Sequence, residues 1–399
     1  MKKPKILLLG AGYACLSTIK KLTHQDFKDA QVTLISNCDY HYHAVLLHEV
    51  ASGAKNQSVK HSLKNILPGE ITFIKDNIMQ IKPSLNQAIG ENGTYEYDYL
   101  VVGLGFDSDS FGIKGIEEYS FSMTSYESAM DIKKHIDKKF ENYKNNKDVN
   151  DLKFIVCGGG FSGVEFAASL AQELKIKAKK TDIPKENIKI SCIEAMPRIL
   201  PMFGEILSTQ ASKRLQALGI EVLENSKILE CLEDGVMIEK EGKNLKIHGN
   251  TIIWSAGVKG NKVIQNSTEF QSNRSKIEID EYLHPKQALP NRNKIFIIGD
   301  CGALKDPKTE RFYAPTAQIS CKEGDYVGEI LHCIIQNESI KKAFSFQSGG
   351  SVCSLGKGYG LGIFMNRKIS GLFAYGVKRM IENLWNIKLK GILRIAKKS

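Results

Sequence analysis

The sequence predicts an α/β protein with parallel sheets, and three observations carry that expectation. The apolar run Lys5–Leu9 leads straight into Gly10-Ala11-Gly12-Tyr13-Ala14-Cys15. A second apolar run, 154–157, leads into Gly158-Gly159-Gly160-Phe161-Ser162-Gly163. Each turn opens a segment with helical spacing of its apolar residues. Short apolar runs then alternate with helical stretches along the chain, the pattern of strands joined by crossover helices.

Taken in order, residues 5–9 read as a buried strand and 13–24 as the helix after it. Residues 31–35 read as the next strand, and 97–102 as a further one ending in Gly103-Leu104-Gly105. The glycines at 112 and 115 suggest a crossover into a second unit. The Lys- and Asn-rich stretch 138–150 reads as a solvated helix end and loop. Alternation resumes with a strand at 152–157, a helix at 162–177 and a strand at 188–193. The polar insertion 178–187, which holds Pro184, reads as a surface loop. Residues 208–218 have helical spacing, and Gly219 stops them before a strand at 220–223. Strands near 229–240, 245–248 and 251–254 follow, then 295–298 running into Gly299-Asp300, then a helix at 316–334. No repeat of solenoid period is present.

A chain of 399 residues has room for two or three domains and a sizeable core. No stretch approaches the roughly 18 apolar residues of a spanning helix. The start, Lys2-Lys3-Pro4-Lys5 and four apolar residues, is too short for a signal peptide and feeds the first turn. The nine cysteines form no Cys-x-x-Cys, which argues against a zinc ribbon or a redox dithiol of that spacing and fits a reducing cytosol. The net charge of +11 is concentrated at the end. Residues 371–399 carry Lys378, Arg379, Lys388, Lys390, Arg394, Lys397 and Lys398 against Glu382 alone, which points to an anionic surface.

The glycines have a physical reason. In a Rossmann-like unit the first permits the tight turn, the second lets the backbone approach a pyrophosphate, and the third lets helix and strand pack closely. The helix then presents free N–H groups and a positive dipole end to the phosphates. The second turn has all three glycines, Gly158, Gly160 and Gly163. An acid, Glu194, ends the strand that follows. A carboxylate there accepts from ribose hydroxyls and repels a 2′-phosphate, which favours NADH. The first turn has Gly10 and Gly12, but Cys15 stands third. Ile35-Ser36-Asn37 stands where the acid is expected, so Ser36, Asn37 or Asp39 has to serve the adenosine ribose.

Further segments resemble the type II NADH:quinone oxidoreductases, single-subunit, non-pumping flavoenzymes of respiratory membranes, over nearly the whole chain. They include Asp39-Tyr40-His41, Leu46-Leu47 with Val50-Ala51 and Gly53, and Tyr97-Asp98-Tyr99-Leu100-Val101. They continue in Gly163-Val164-Glu165-Phe166-Ala167 and in Glu194-Ala195-Met196-Pro197-Arg198-Ile199-Leu200-Pro201. Trp254-Ser255-Ala256-Gly257-Val258, Ile298-Gly299-Asp300-Cys301 and Ser354-Leu355-Gly356 complete the match. In the family's quinone-side motif Ala-Gln-x-Ala-x-Gln, this chain keeps Ala317-Gln318 and departs at Ser320 and Lys322.

The resemblance implies a glutathione-reductase-like flavoprotein. FAD is expected in a discontinuous domain of residues 1–111 and 257–337, at Gly10, Gly12, Tyr13, Ala14, Ser36, Gly299, Asp300, Ala317 and Gln318. NADH is expected in residues 112–256, at Gly158, Gly160, Phe161, Gly163, Glu165 and Glu194, and at Gly257 just beyond. Hydride would pass to the flavin, and two electrons onward to a membrane quinone, with Glu165 and Gln318 as the catalytic residues. Glu165, near a helix start, would orient the ring or relay protons; stabilisation of the helix dipole is the plainer alternative.

Residues 338–399 are expected to form a membrane-associating region. From residue 369, Phe373, Val377, Met380, Ile381, Leu384 and Trp385 recur at helical steps, with Lys378, Arg379, Glu382, Asn383 and Asn386 between them. A second such stretch holds Ile387, Leu389, Ile392, Leu393 and Ile395 with Lys388, Lys390 and Arg394. A basic amphipathic helix with Trp385 and Phe373 reads as an interfacial anchor on anionic lipid; packing on the protein's own core is the alternative. The resemblance places the enzyme peripherally on the cytoplasmic face of the plasma membrane, and it alone implies a homodimer. No recognition motif accompanies the charge, so nucleic acid is not expected.

His41, His43 and His48 fall into no familiar ligand spacing, and no metal is expected. Cys157, Cys321 and Cys353 raise a sulfide:quinone oxidoreductase as an alternative, since those enzymes share the fold and use cysteines near the flavin. A soluble NADH-dependent ferredoxin-type reductase and an NADH sensor of the apoptosis-inducing-factor type share the two nucleotide units. Glu194 and the basic tail favour the quinone reductase.

Overall fold

The computed structural model describes residues 2–339 and 342–396, with side chains described as far as Leu389. Along the chain come β1 (Lys5–Leu9), β2 (Gln31–Ser36), β3 (Thr72–Lys75) and β4 (Tyr99–Val102). Then come β5 (Phe121–Ser122), β6 (Lys153–Cys157), β7 (Lys189–Ile193), β8 (Ile220–Leu223) and β9 (Thr251–Trp254), and finally β10 (Ile295–Ile297). One five-stranded sheet has the order β10-β4-β1-β2-β3 and another the order β5-β9-β6-β7-β8. All neighbours in both are parallel. The two orders coincide when β1 is laid on β6. β10 rejoins the first sheet only after the second is complete.

Continuous apolar runs suit these central strands, because each is covered on both faces. Ile6 to Leu9 and Phe154 to Cys157 are all buried. The helices that matter below are α1 (Tyr13–Lys21), α2 (Leu47–Ala51), α3 (Phe161–Lys180), α4 (Ala317–Ile335) and α5 (Gly371–Ala396). α1 and α4 touch backbone to backbone: a Cβ on Gly328 would lie 2.5 Å from the Thr18 carbonyl, and one on Gly324 would strike that of Ala14. Each unit also carries a three-stranded antiparallel sheet, Ile78–Lys82 with Gln87–Gly90 and Thr94–Glu96 in the first, Ser226–Leu232 with Gly235–Lys240 and Lys243–His248 in the second.

A third such sheet, β11 (Gly350–Ser354), β12 (Gly360–Phe364) and β13 (Arg367–Ser370), leads into α5. The C-terminal region joins both cores. Trp385 and Leu389 pack into the core of the first unit, and Cys353, Leu355 and Leu361 into that of the second.

Three local expectations are corrected. The helix expected over 13–24 ends at Lys21, because Thr23 caps a separate helix, His24–Asp29, in a reciprocal bond with Asp26. The stretch 138–150 is mostly helix: Tyr126–Asn146 turns Ile136, Phe140 and Tyr143 inward and stops where Lys147 turns left-handed. α3 runs to Lys180, into the expected loop, because Leu174 and Ala178 keep its buried stripe going.

Candidate functional site

Both glycine turns leave the central strand in the same way. Gly10 N–H donates to the Ile35 carbonyl and Gly158 N–H to that of Ile193, each at 2.8 Å. Gly10 (φ +98°) and Gly158 (φ +116°) take the backbone region open to glycine. Gly12 and Gly160 precede α1 and α3 without a side-chain cap. A Cβ on Gly12 would meet nothing nearer than 4.0 Å, and one on Gly160 nothing within 4 Å. Each helix therefore opens its unpaired N–H groups and positive dipole end onto free space, which fits a diphosphate.

The third position is solved differently in the two units. In the second, Gly163 packs against Ser255, whose hydroxyl donates to the Cys157 carbonyl at 2.9 Å. In the first, Cys15 replaces the glycine and Gly103 replaces the serine. The Cys15 thiol donates to the Leu9 carbonyl at 3.4 Å, and a Cβ on Gly103 would lie 2.6 Å from its sulfur. Small and larger residues have changed places across one contact, so helix and strand stay close in both.

Glu194 ends β7 with Oε2 accepting from Gly159 N–H at 2.6 Å and Oε1 from Met196 N–H at 2.8 Å. Ser36, its counterpart, is buried and makes only long contacts to Cys38, accepting from its N–H at 3.5 Å and lying 3.8 Å from its sulfur. Tyr13 turns its ring away toward Trp385, His41 and His43, with centroids 4.8, 5.3 and 6.4 Å away. Phe161 packs edge-on against Phe203, and Gly257 lies under the exposed Phe111 ring, which a side chain there would have to displace.

Gly299 and Asp300 sit beside the first turn: a Cβ on Gly299 would lie 3.6 Å from that of Ala14. Burial raises the Asp300 carboxyl above the ordinary range. Gly299 N–H donates to Glu323 Oε2 at 2.6 Å. Glu323 escapes a motif search, because no pattern of the sequence marks it. Burial, with Asp300 close by, pushes its carboxyl up to about 8 against the pull of that N–H. At the start of α4, Gln318 is exposed and accepts from the Ser348 hydroxyl at 3.4 Å. Lys322 is exposed one turn further on, while Ser320 is buried and bonds the Thr316 carbonyl.

Glu165, only 5% exposed, is the hub of a buried polar cluster. Its Oε1 accepts from Lys378 Nζ at 2.9 Å and from the Ser354 N–H and hydroxyl at 2.8 and 3.1 Å. Its Oε2 lies 3.8 Å from His48 Nδ1 on α2. Burial opposes its ionisation, but Lys378 foremost, then His48 and the Ser354 N–H, outweigh burial and hold the carboxyl below its usual range. Burial would likewise discharge Lys378, yet Glu165 and Glu382 keep it firmly charged. Arg379 continues the network to Glu49 at 3.0 Å and Glu382 at 2.7 Å.

This cluster corrects the picture of the C-terminal helix. Lys378, Arg379, Glu382 and Asn386 point into the protein, where Glu165, Glu49 and His43 give them partners. Trp385 is no interfacial residue; it is buried, and its Nε1–H donates to His41 Nε2 at 2.8 Å. The outward face is the apolar one, with Leu372, Phe373, Met380, Leu384 and Ile387 all exposed. Met365 on the β12–β13 hairpin extends it, beside exposed Arg367 and Lys368. Lys397 and Lys398 lie outside the described residues, as do the side chains of Lys390, Ile392, Leu393, Arg394 and Ile395. No helix among the described residues is long and apolar enough to cross a membrane.

The three histidines have different polar partners: Ala11 and Trp385 for His41, Asn386 for His43, Glu165 for His48; the His41 and His43 rings lie 6.0 Å apart. Cys157, Cys321 and Cys353 are buried, and burial pushes each thiol upward, away from the reactive thiolate.

Two parallel sheets, each with an open-fronted glycine turn at its centre, define a two-nucleotide oxidoreductase, and residues 4–324 match the pyridine nucleotide-disulphide oxidoreductase family. Among curated relatives, the type II NADH:quinone oxidoreductase of Staphylococcus aureus (strain MSSA476) is 34% identical over 395 residues, 98% of this chain and 97% of that one. The proteins of that name from strains MW2 and NCTC 8325 match equally, at 34% over 395 residues. The chain belongs to the type II NADH:quinone oxidoreductase family. Two solved structures share the fold at 20% identity. The NDH2 of Plasmodium falciparum in complex with NADH has a TM-score of 0.85 over 100% of this chain and 98% of its own. The sulfide:quinone oxidoreductase of Aquifex aeolicus has a TM-score of 0.78 over 98% and 92%.

Proposed function

We propose that this chain oxidises NADH and reduces a membrane quinone, with FAD as the resident cofactor. The observation that carries the reading is the pair of equivalent open-fronted turns, one of them backed by Glu194. Gly10 and Gly12 would receive the FAD diphosphate at the start of α1, with Tyr13 and Ala14 offering backbone N–H groups. Ser36 would meet the adenosine ribose, and Gly299, Asp300, Ala317 and Gln318 would border the rest of the cofactor. Gly158, Gly160 and Phe161 would receive NADH at the start of α3, Glu194 its ribose, and Gly163 and Gly257 would keep the neighbouring backbone close. When bound, FAD supplies hydride acceptance from NADH and two-electron delivery to the quinone.

Glu165, paired with Lys378 at 2.9 Å, would orient the nicotinamide ring or relay a proton to quinol, the role that the family resemblance implies for it. Gln318 and Lys322 present an amide and a cation on one exposed face of α4. The apolar face of α5, flanked by Arg367, Lys368 and Lys388, is proposed to lie in an anionic lipid surface on the cytoplasmic side. A homodimer, implied by the family alone, is proposed with it. The sulfide reading is disfavoured by Glu194 and by the buried thiols.

The test is an assay of the purified yellow protein. NADH consumption that requires an added menaquinone analogue is the expected result; bleaching by sulfide without NADH would overturn it. Glu194→Ser is expected to narrow the NADH-over-NADPH preference by about tenfold, through one lost charge-assisted bond and the lost repulsion. An unchanged ratio counts against its ribose role.

A further inference from the structure

The two turns are tied down at the same backbone atom by different means. In the second unit the carbonyl of Gly159 accepts the backbone N–H of Leu200 at 2.8 Å. The counterpart of Gly159 is Ala11, and its carbonyl pairs with His41 Nδ1 at 2.9 Å. The direction of that bond is fixed from the far side of the ring. Indole N–H can only donate, so the 2.8 Å contact from Trp385 Nε1 requires a lone pair on His41 Nε2. The proton of the neutral ring therefore sits on Nδ1 and is given to Ala11. Burial keeps the ring neutral, pushing its pKa down to about 3. Trp385 is itself held edge-on by Tyr13, 4.8 Å between centroids.

The carbonyl of Ala11 and the N–H of Gly12 belong to one planar trans peptide and point in opposite directions. Holding the carbonyl back therefore aims the N–H forward. Gly12 N–H has no protein acceptor among the described residues and faces the open front of the turn. In the second unit Glu194 also holds the Gly159 N–H, so that turn is pinned on both sides. The first unit has Ser36 in place of the acid, and it does not reach the Ala11 N–H.

We propose that His41, locked as its Nδ1–H tautomer by Trp385, is a positioning residue for FAD: it holds the carbonyl that Leu200 N–H holds in the second unit, and so aims the Gly12 N–H at the cofactor's diphosphate in a turn whose other side no acid pins. The inference rests on the FAD reading of the first turn. It also makes α5 part of the flavin site, since Trp385 belongs to that helix.

The test strips FAD from full-length protein and measures its rebinding by flavin fluorescence, with NADH affinity followed in the same samples as a control on the second unit. His41→Asn keeps an N–H near the Nδ1 position; His41→Gln moves the amide to the Nε2 position; Trp385→Phe keeps the ring against Tyr13 but frees the His41 tautomer. FAD binding is expected to weaken about tenfold in His41→Gln and about threefold in Trp385→Phe, the range of one hydrogen bond, and to stay within about threefold in His41→Asn. NADH affinity should not change. Wild-type FAD affinity in both His41→Gln and Trp385→Phe overturns the proposal, as does an equal loss in His41→Asn and His41→Gln. If His41→Gln does not fold, Trp385→Phe decides alone. Wild-type protein that binds no FAD would instead overturn the reading on which the proposal rests.

Discussion

Cys15 shows how a motif read along one strand misleads. Taken alone it is a spoiled third glycine. Against Gly103 it is half of an exchange, because the serine that fills this space in the second unit has become glycine in the first. Gly103→Ala should therefore cost about 1–3 kcal/mol by overpacking against the sulfur, and Cys15→Gly should recover most of it. A double-mutant cycle in urea measures this; additive losses would refute the exchange. Glu323 is legible only in three dimensions, since nothing in the sequence places it under Gly299. Its folded pKa of about 8 lies above the ordinary 4.5, so its contribution to stability is complete below 4.5 and is lost as pH rises toward 8. Glu323→Gln keeps an oxygen for Gly299 N–H and is expected to flatten that loss. Melting curves at pH 5 and pH 8 check it: the variant should gain a few degrees on the wild type only at the higher pH.

At the scale of elements, α5 was legible as an amphipathic helix but not in its orientation. Periodicity separates two faces; which one turns inward depends on what the rest of the fold offers. Here the fold offers Glu165, Glu49, His41 and His43, so the polar face is the buried one. Removing one partner should be worse than removing both. Lys378→Met leaves Glu165 buried without its lysine partner, with only Ser354 and His48 near it, and is expected to cost about 3 kcal/mol, whereas Glu165→Gln with Lys378→Met should recover part of it. Equilibrium unfolding of the single and double variants tests the order. The Glu165 carboxyl is depressed below its ordinary 4.5, so its stabilisation of the helix is complete above that pH and is lost as pH falls through the lower folded value. Protease cleavage within α5 should accordingly speed up in acid, at pH below the ordinary carboxylate value. A rate unchanged between pH 6 and pH 3 would count against this docking.

For the whole molecule, the two strand–turn–helix units were legible because their signals are local, whereas the return of the chain to the first sheet and the quinone chemistry rested on the family resemblance. The contacts that join the units were not, since each pairs residues far apart in sequence. The outward apolar face gives the membrane proposal its test. Replacing Phe373, Leu384 and Ile387 by serine removes apolar area without touching the buried ion pairs, and is expected to weaken binding to anionic vesicles by about tenfold or more. Unchanged co-sedimentation would sink the lipid-docking proposal. The bond between Trp385 and His41 spans 344 residues and so has a consequence for biosynthesis. At about 5–20 residues per second, a ribosome completes Trp385 roughly 20–70 s after His41. For that interval the nascent first unit has its glycine turn but not the indole that orients the ring behind it. Stable flavin incorporation is thus expected to wait until α5 has been made and has emerged, and a ribosome stalled short of α5 should carry a flavin-poor first unit.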